Sequence, residues 1–278
     1  MPIDEHEVYP HAPLAFVTVE IRFPGESGQG ITSALQRAFR DVLGEEWVTE
    51  QLTQQEVTFG MTMGSPAQAF RAASFPRFTV RDRTSAVVLT TDTVTLQTTR
   101  YRHWADFRSV LERVITATAE LVAPEGVSRV GMRFVDEIRV PSGVGEHLEE
   151  WAQWLSADVL APVIHPMSEA GWLPTDWTSV VQYRLGDGKQ VVFRYGPQQG
   201  PYAVAPDGPL RRIDPPPPGP LFLLDFDSFW EPPTIPRFEV DELLSVCDTL
   251  REPTRVLFDN VVTERLVDEV FRVQRNDS

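Results

Sequence analysis

Cysteine and lysine are almost absent from this chain, and each shortage removes a class of chemistry. Cys247 is the only cysteine among 278 residues. A disulfide framework within the chain is therefore impossible, and a zinc site built on several thiolates is excluded. Cys247 stands at an apolar position of a predicted helix, far in sequence from any histidine, and reads as a small buried hydrophobe. No stretch approaches the ~20 uninterrupted apolar residues of a membrane helix. The opening "MPIDEHEVYPHAP" is acidic and has no apolar core, so a cytoplasmic protein without a secretory signal is expected. His6, His11, His103, His147 and His165 form no HxH, HExxH or HxxxH pattern. GxSxG and SxxK are missing, and "GESGQG" matches neither a phosphate loop nor a dinucleotide fingerprint. The sequence thus assigns no catalytic residue, no metal ligand and no cofactor, and leans away from an enzyme.

Lys189 is the only lysine, so the other basic residues are arginines, and any anion site would use guanidinium forks. The formal net charge of −15 works against non-specific binding to nucleic acid or to an anionic membrane. At 42% hydrophobic residues the chain can bury a large core, as one domain or two closely packed ones.

Period-2 alternation marks strands. In "PLAFVTVEIRFP", Val17, Val19, Ile21 and Phe23 alternate with Thr18, Glu20 and Arg22. Val87 and Leu89, then Val94 and Leu96, describe a meander turning near Thr91–Thr93, and "QQEVTFGMTMG" reads as a further strand. In "VSRVGMRFVDEIRVP" the even positions Val130, Met132, Phe134, Ile138 and Val140 are apolar, while Arg129, Arg133, Glu137 and Arg139 hold odd ones. "WTSVVQYRLGDGKQVVFRYG" is a hairpin about the type I′ pair Asp187-Gly188. Helices are expected over "ITSALQRAFRDVLG", with a Ser33/Gln36 capping box, and over "WADFRSVLERVITATAELV". A third is expected over "GEHLEEWAQWLSADVLAPV", and a fourth near the C-terminus, kinked or broken by Pro253, with Thr263 capping a last turn. Nine of the 24 prolines fall between Pro197 and Pro220, which predicts a loop of polyproline character. The fold class is α+β, with mostly antiparallel sheets and long amphipathic helices. Residues 1–142 and 143–278 share an outline of antiparallel strands followed by a helix, either as two tightly packed halves or as one domain.

Five segments, read in order, carry a family resemblance. They are "YPHAPLAFVTVEIRFP", "TTRYRHWADFRSVLERV", "RVGMRFVDEIRVP", "LLDFDSFW" and "LFDNVVTERLVDEVF". Together they resemble a sporadically distributed bacterial protein family of about this length. The chain departs from that pattern at Val135-Asp136, where Ile-Asn is usual, and at Cys247-Asp248, where Leu-His is usual. The resemblance implies a stand-alone bacterial protein and carries over no catalytic residue.

Three groups of side chains are candidates for function. Asp225 and Asp227, two apart in "LFLLDFDSFW", point to one face of a strand that is apolar on both sides. Two like charges there need a metal or arginines, and Arg129, Arg133 and Arg194 are the expected partners. A ligand site would combine Arg129 and Arg133 with Asp225 and Asp227, and Arg100 and Tyr101 before a helix start could add to it. Trp151, Trp154, Trp172 and Trp177 cluster in a mid-chain bend and could offer a partner surface. The first expectation is a non-enzymatic protein-binding or accessory factor, antitoxin-like or from a defence locus, with a protein partner and with a homodimer allowed. The alternative is an enzyme or sensor that binds an anionic small molecule or nucleotide through the Arg/Asp cluster.

Overall fold

The computed structural model describes residues 9–25, 31–62, 65–141, 147–161, 176–198 and 200–273, with backbone alone for 54–62 and 65–73. Nine strands form one sheet. In chain order they are β1 (Leu14–Arg22), β2 (Trp47–Thr62), β3 (Ser65–Val80), β4 (Ser85–Leu89) and β5 (Thr93–Thr98), then β6 (Arg129–Ile138), β7 (Ser179–Gly186), β8 (Lys189–Gln198) and β9 (Leu221–Trp230). The sheet order is β2-β3-β4-β5-β1-β6-β9-β8-β7, with every pairing antiparallel. The fold is mixed α+β. Strands from both stretches, 1–142 and 143–278, belong to this one sheet, and β1 lies between β5 and β6.

Three helices, α1 (Ser33–Leu43), α2 (Trp104–Leu121) and α3 (Val240–Val261), bury one face of that sheet. The alternation of each strand decides which residues meet them. Val17, Val19 and Ile21 of β1 share this face with Val130, Met132 and Phe134 of β6 and with Phe222, Leu224 and Phe226 of β9. The opposite face carries Thr18, Glu20, Arg133, Asp225, Asp227 and Arg194, and none of these three helices covers it. One sheet thus separates an apolar layer from a charged one.

Local chemistry explains where expectations shift. The cap of α1 is Thr32, not Ser33: its hydroxyl accepts from the Leu35 N–H at 3.2 Å, and the Gln36 amide donates to the Ile31 carbonyl. Asp187 and Gly188 both take positive φ, 50° and 78°, as the predicted turn requires. Gly188 is needed twice over, since a Cβ there would collide with the Glu231 carbonyl. Pro253 does not end α3. The helix runs through it because Leu243, Leu244, Cys247, Leu250, Thr254 and Val261 are buried on both sides of that point. The helix expected around Trp151–Trp154 is instead a 3₁₀ turn, Leu148–Gln153, followed by another at Ala157–Val159. Leu155 bridges Val262, the Ser156 N–H reaches the Val261 carbonyl, and the Thr263 N–H reaches Trp154, so the backbone there bonds across rather than along. Thr263 caps the last turn as expected, accepting from the Leu266 N–H.

The proline-rich segment, residues 200–220, straps one end of the charged face. Glu137 anchors it. Its Oε1 accepts from the Ala203 and Val204 N–H groups at 2.9 Å each and from Arg212 at 2.7 Å. Arg139 donates to the Gly219 carbonyl, Arg77 to that of Pro209 and Thr99 to that of Arg211, so the strap reaches from β6 to β3.

Candidate functional site

Asp225 and Asp227 occupy the charged face at the middle of the sheet. Cross-strand register places Asp225 opposite Arg194 of β8, and Asp227 opposite Arg133 of β6. Arg133 reaches diagonally to the buried Asp225 and closes a two-point pair, Nε–Oδ1 at 2.7 Å and Nη2–Oδ2 at 2.9 Å. Arg194 stands 3.6 Å from the same carboxylate. The hydrogen bonds to Asp225 raise the Arg133 guanidinium above its ordinary range, against the opposing effect of burial. Arg129 sits over the Phe229 ring and holds Glu20 at 3.0 Å, with Asp227 and Glu231 at 3.7 Å. Asp227 is less fully compensated, and burial pushes its carboxyl up despite the nearby arginines. The four residues Arg129, Arg133, Asp225 and Asp227 are therefore one cluster, with the carboxylates answered by guanidinium groups. Among the described residues, no group of three or more His, Cys, Asp or Glu is placed to hold a metal ion.

Arg100 and Tyr101 do not join that cluster. Arg100 pairs with Asp82 at 3.3 Å and lines a cavity of about 310 Å³ at the start of α2, together with Arg102, Asp106 and Arg113. Tyr101 turns under the sheet and packs edge-on against Phe134. The described tryptophans of the bend turn inward. Trp151 and Trp154 are buried in the core, so they form no partner surface. Trp151 packs on Phe222, and Trp154 lies beneath the Arg265 guanidinium. Trp177 is half-buried against Phe222, and Trp172 lies outside the described residues.

A second cavity, of about 430 Å³, lies on the helical face between β6, β9, the second half of α3 and the segment leading into β1. Asp136 is in its wall. The backbone of Asp136 is paired on both sides, with Leu14 of β1 and Leu224 of β9, so the side chain is what it presents to the cavity. Asp136 is 5% exposed, and no described residue hydrogen-bonds or ion-pairs with its carboxyl. Burial, and secondarily the Asp225 carboxylate, push it up to about 8. Tyr9, Tyr101, Phe134, Phe226 and Phe258 supply aromatic walls, and Arg251, Arg255 and Asp259 supply the polar ones from α3.

The sequence reading missed Asp136 and the anchoring role of Glu137. The signal for Asp136 was present: it is the one polar residue at an even position of β6, between Phe134 and Ile138. Glu137 gave no such signal, because a carboxylate at an outward position is ordinary until a distant segment folds over it. Compared with known proteins, the chain matches no family model and no curated sequence.

Proposed function

We propose that this protein acts by binding rather than by catalysis, and that it recognises a protein partner on the helix-free face of its sheet. One observation carries the reading. The buried Asp225 carboxylate is closed by the Arg133 fork and shared with Arg194 on an open surface, so the cluster forms a patterned, charged face. Arg133 and Arg194, which share the Asp225 carboxylate, keep 49% and 38% of their side-chain surface exposed. Val180, directly opposite Arg194 on the edge strand β7, is 61% exposed. Half-exposed arginines beside an exposed valine match the composition of protein interfaces. The same closure argues against an anionic ligand or nucleotide at this cluster, since the Arg133 fork is already filled by Asp225. The likeness of five segments to a sporadically distributed bacterial family extends the reading to an accessory or antitoxin-like role.

The test is capture from the native host with the protein as bait, beside a Val180→Asp/Arg194→Glu variant. Wild type is expected to retain one partner stoichiometrically and the variant to lose it. Recovery of no stoichiometric partner overturns the proposal, as does equal capture by both baits.

A further inference from the structure

Buried carboxyl groups in this protein come in two kinds. Asp225 has two guanidinium partners, and Glu137 has two backbone N–H groups and two arginines. Asp136 is as deeply buried and has no described partner, although it stands at a cavity wall. An unsatisfied buried polar group is costly, and it persists where something else supplies its partner. The remaining walls indicate what that partner is. Five rings, from Tyr9, Tyr101, Phe134, Phe226 and Phe258, line the same space. An aromatic face turned toward a cation attracts it through its quadrupole, as the Tyr9 ring does with the Arg272 guanidinium at 5.9 Å. A volume of about 430 Å³ falls within the range of small-molecule sites.

We propose that this cavity is a site for a small organic cation, an amine or alkylated ammonium with an apolar body, held by an ion pair to Asp136 and by the surrounding rings. Two arginines of α3 also line the cavity, each with a contact of its own. Arg255 is answered by Glu252 at 2.6 Å and by Asp259 at 3.5 Å, and the Arg251 guanidinium lies over the Trp104 ring. Tyr9 and Tyr101 are the other titratable groups lining the cavity, and Asp225 faces Asp136 only across the sheet. Burial keeps the proton on Asp136 at neutral pH. Binding the cation requires the carboxylate, so the Asp136 proton passes to solvent, one per ligand bound. This site is independent of the partner face, which lies on the other side of the sheet.

Calorimetric titration of the whole protein with benzyltrimethylammonium and phenethylamine tests the proposal, with benzyl alcohol as a neutral probe and phenylacetate as an anionic one. Both cations are expected to bind at one site, with affinity rising about tenfold per pH unit between pH 6 and 7. Titrations in two buffers of different ionisation enthalpy are expected to show release of one proton. Asp136→Asn keeps the shape and removes the charge. It is expected to weaken both cations at least tenfold and to leave benzyl alcohol unaffected, which separates loss of charge from loss of fold. Preference for phenylacetate, equal cation affinity in the Asn variant, or no binding of either cation would each overturn it.

Discussion

Asp136 and Asp225 are both buried and lie on adjacent strands, on opposite faces of one sheet. Their surroundings give them opposite consequences for stability. The folded state holds the Asp136 proton up to about pH 8, whereas an unfolded chain releases it near 3.8, the ordinary value of an aspartate. The contribution of Asp136 to stability is therefore greatest at low pH and falls through that window, by up to ~1.4 kcal/mol per pH unit. Asn at 136 removes the dependence. The advantage of Asp136→Asn over wild type is expected to grow by about 3 kcal/mol between pH 5 and 7.5, read as a widening gap in thermal midpoints. A gap that stays constant with pH would show that this carboxyl is not held neutral in the fold. Asp225 behaves in the other way: removing a partner hurts. Arg133→Met leaves it with Arg194 alone at 3.6 Å. Because Arg133 is half-exposed, the expected loss is about 2 kcal/mol rather than the larger cost of a fully buried pair. Removing both charges, as Arg133→Met with Asp225→Leu, is expected to recover most of it in urea denaturation, and a double variant no better than the single one contradicts the pairing. Cys247 belongs to a quieter class, its thiol buried and pushed up to about 12, which leaves it protonated and unreactive.

The strap of residues 200–220 illustrates how an irregular element is held. It has no ladder of its own, and a polyproline-like chain satisfies few of its backbone groups internally. Glu137 substitutes for that ladder with two N–H acceptances and an arginine that is itself part of the strap. Glu137→Ala is expected to cost about 3 kcal/mol, because Arg212 and two amides lose a buried anion. It should also expose Arg211 and Arg212 to trypsin at temperatures well below unfolding. An unchanged cleavage rate at those sites would mean that the strap is held elsewhere. The same contrast between local and distant control governs the helices. The composition of α3 predicted a break at Pro253, but burial of the flanking apolar residues kept the helix continuous. Conversely, the apolar residues around Trp151 and Trp154 resembled a helical face, and cross-chain bonds to Val261–Thr263 converted the segment to 3₁₀ turns.

At the level of the molecule, what could be read from the sequence was whatever depends on near neighbours. Alternation marked β1, β6 and the β4–β5 meander, and Asp187-Gly188 fixed the β7–β8 hairpin. The two like charges within "LFLLDFDSFW" called for a metal or for arginines, with arginines favoured, and Arg133 and Arg194 supply them for Asp225. Three things were not legible: that Arg100 and Tyr101 stand apart from this cluster, that Trp151 and Trp154 lie inside the core, and that Asp136 sits unpaired beside a cavity. Each depends on which strand lies next to which, and sequence periodicity does not encode that order. The placement of β1 is the clearest instance. Four strands, β2 to β5, lie on one side of it and four, β6 to β9, on the other. Yet β1 leaves the ribosome before either neighbour, and Arg129 of β6 follows Arg22 by on the order of ten seconds at ordinary rates of synthesis. Until β5 emerges a ribbon of Val17, Val19 and Ile21 has both of its edges unfilled, and until β6 emerges it still has one. Nascent chains of this protein are therefore exposed to mispairing for as long as translation takes to deliver the second flank, and a pause placed before β6 would lengthen that hazard without altering a single native contact.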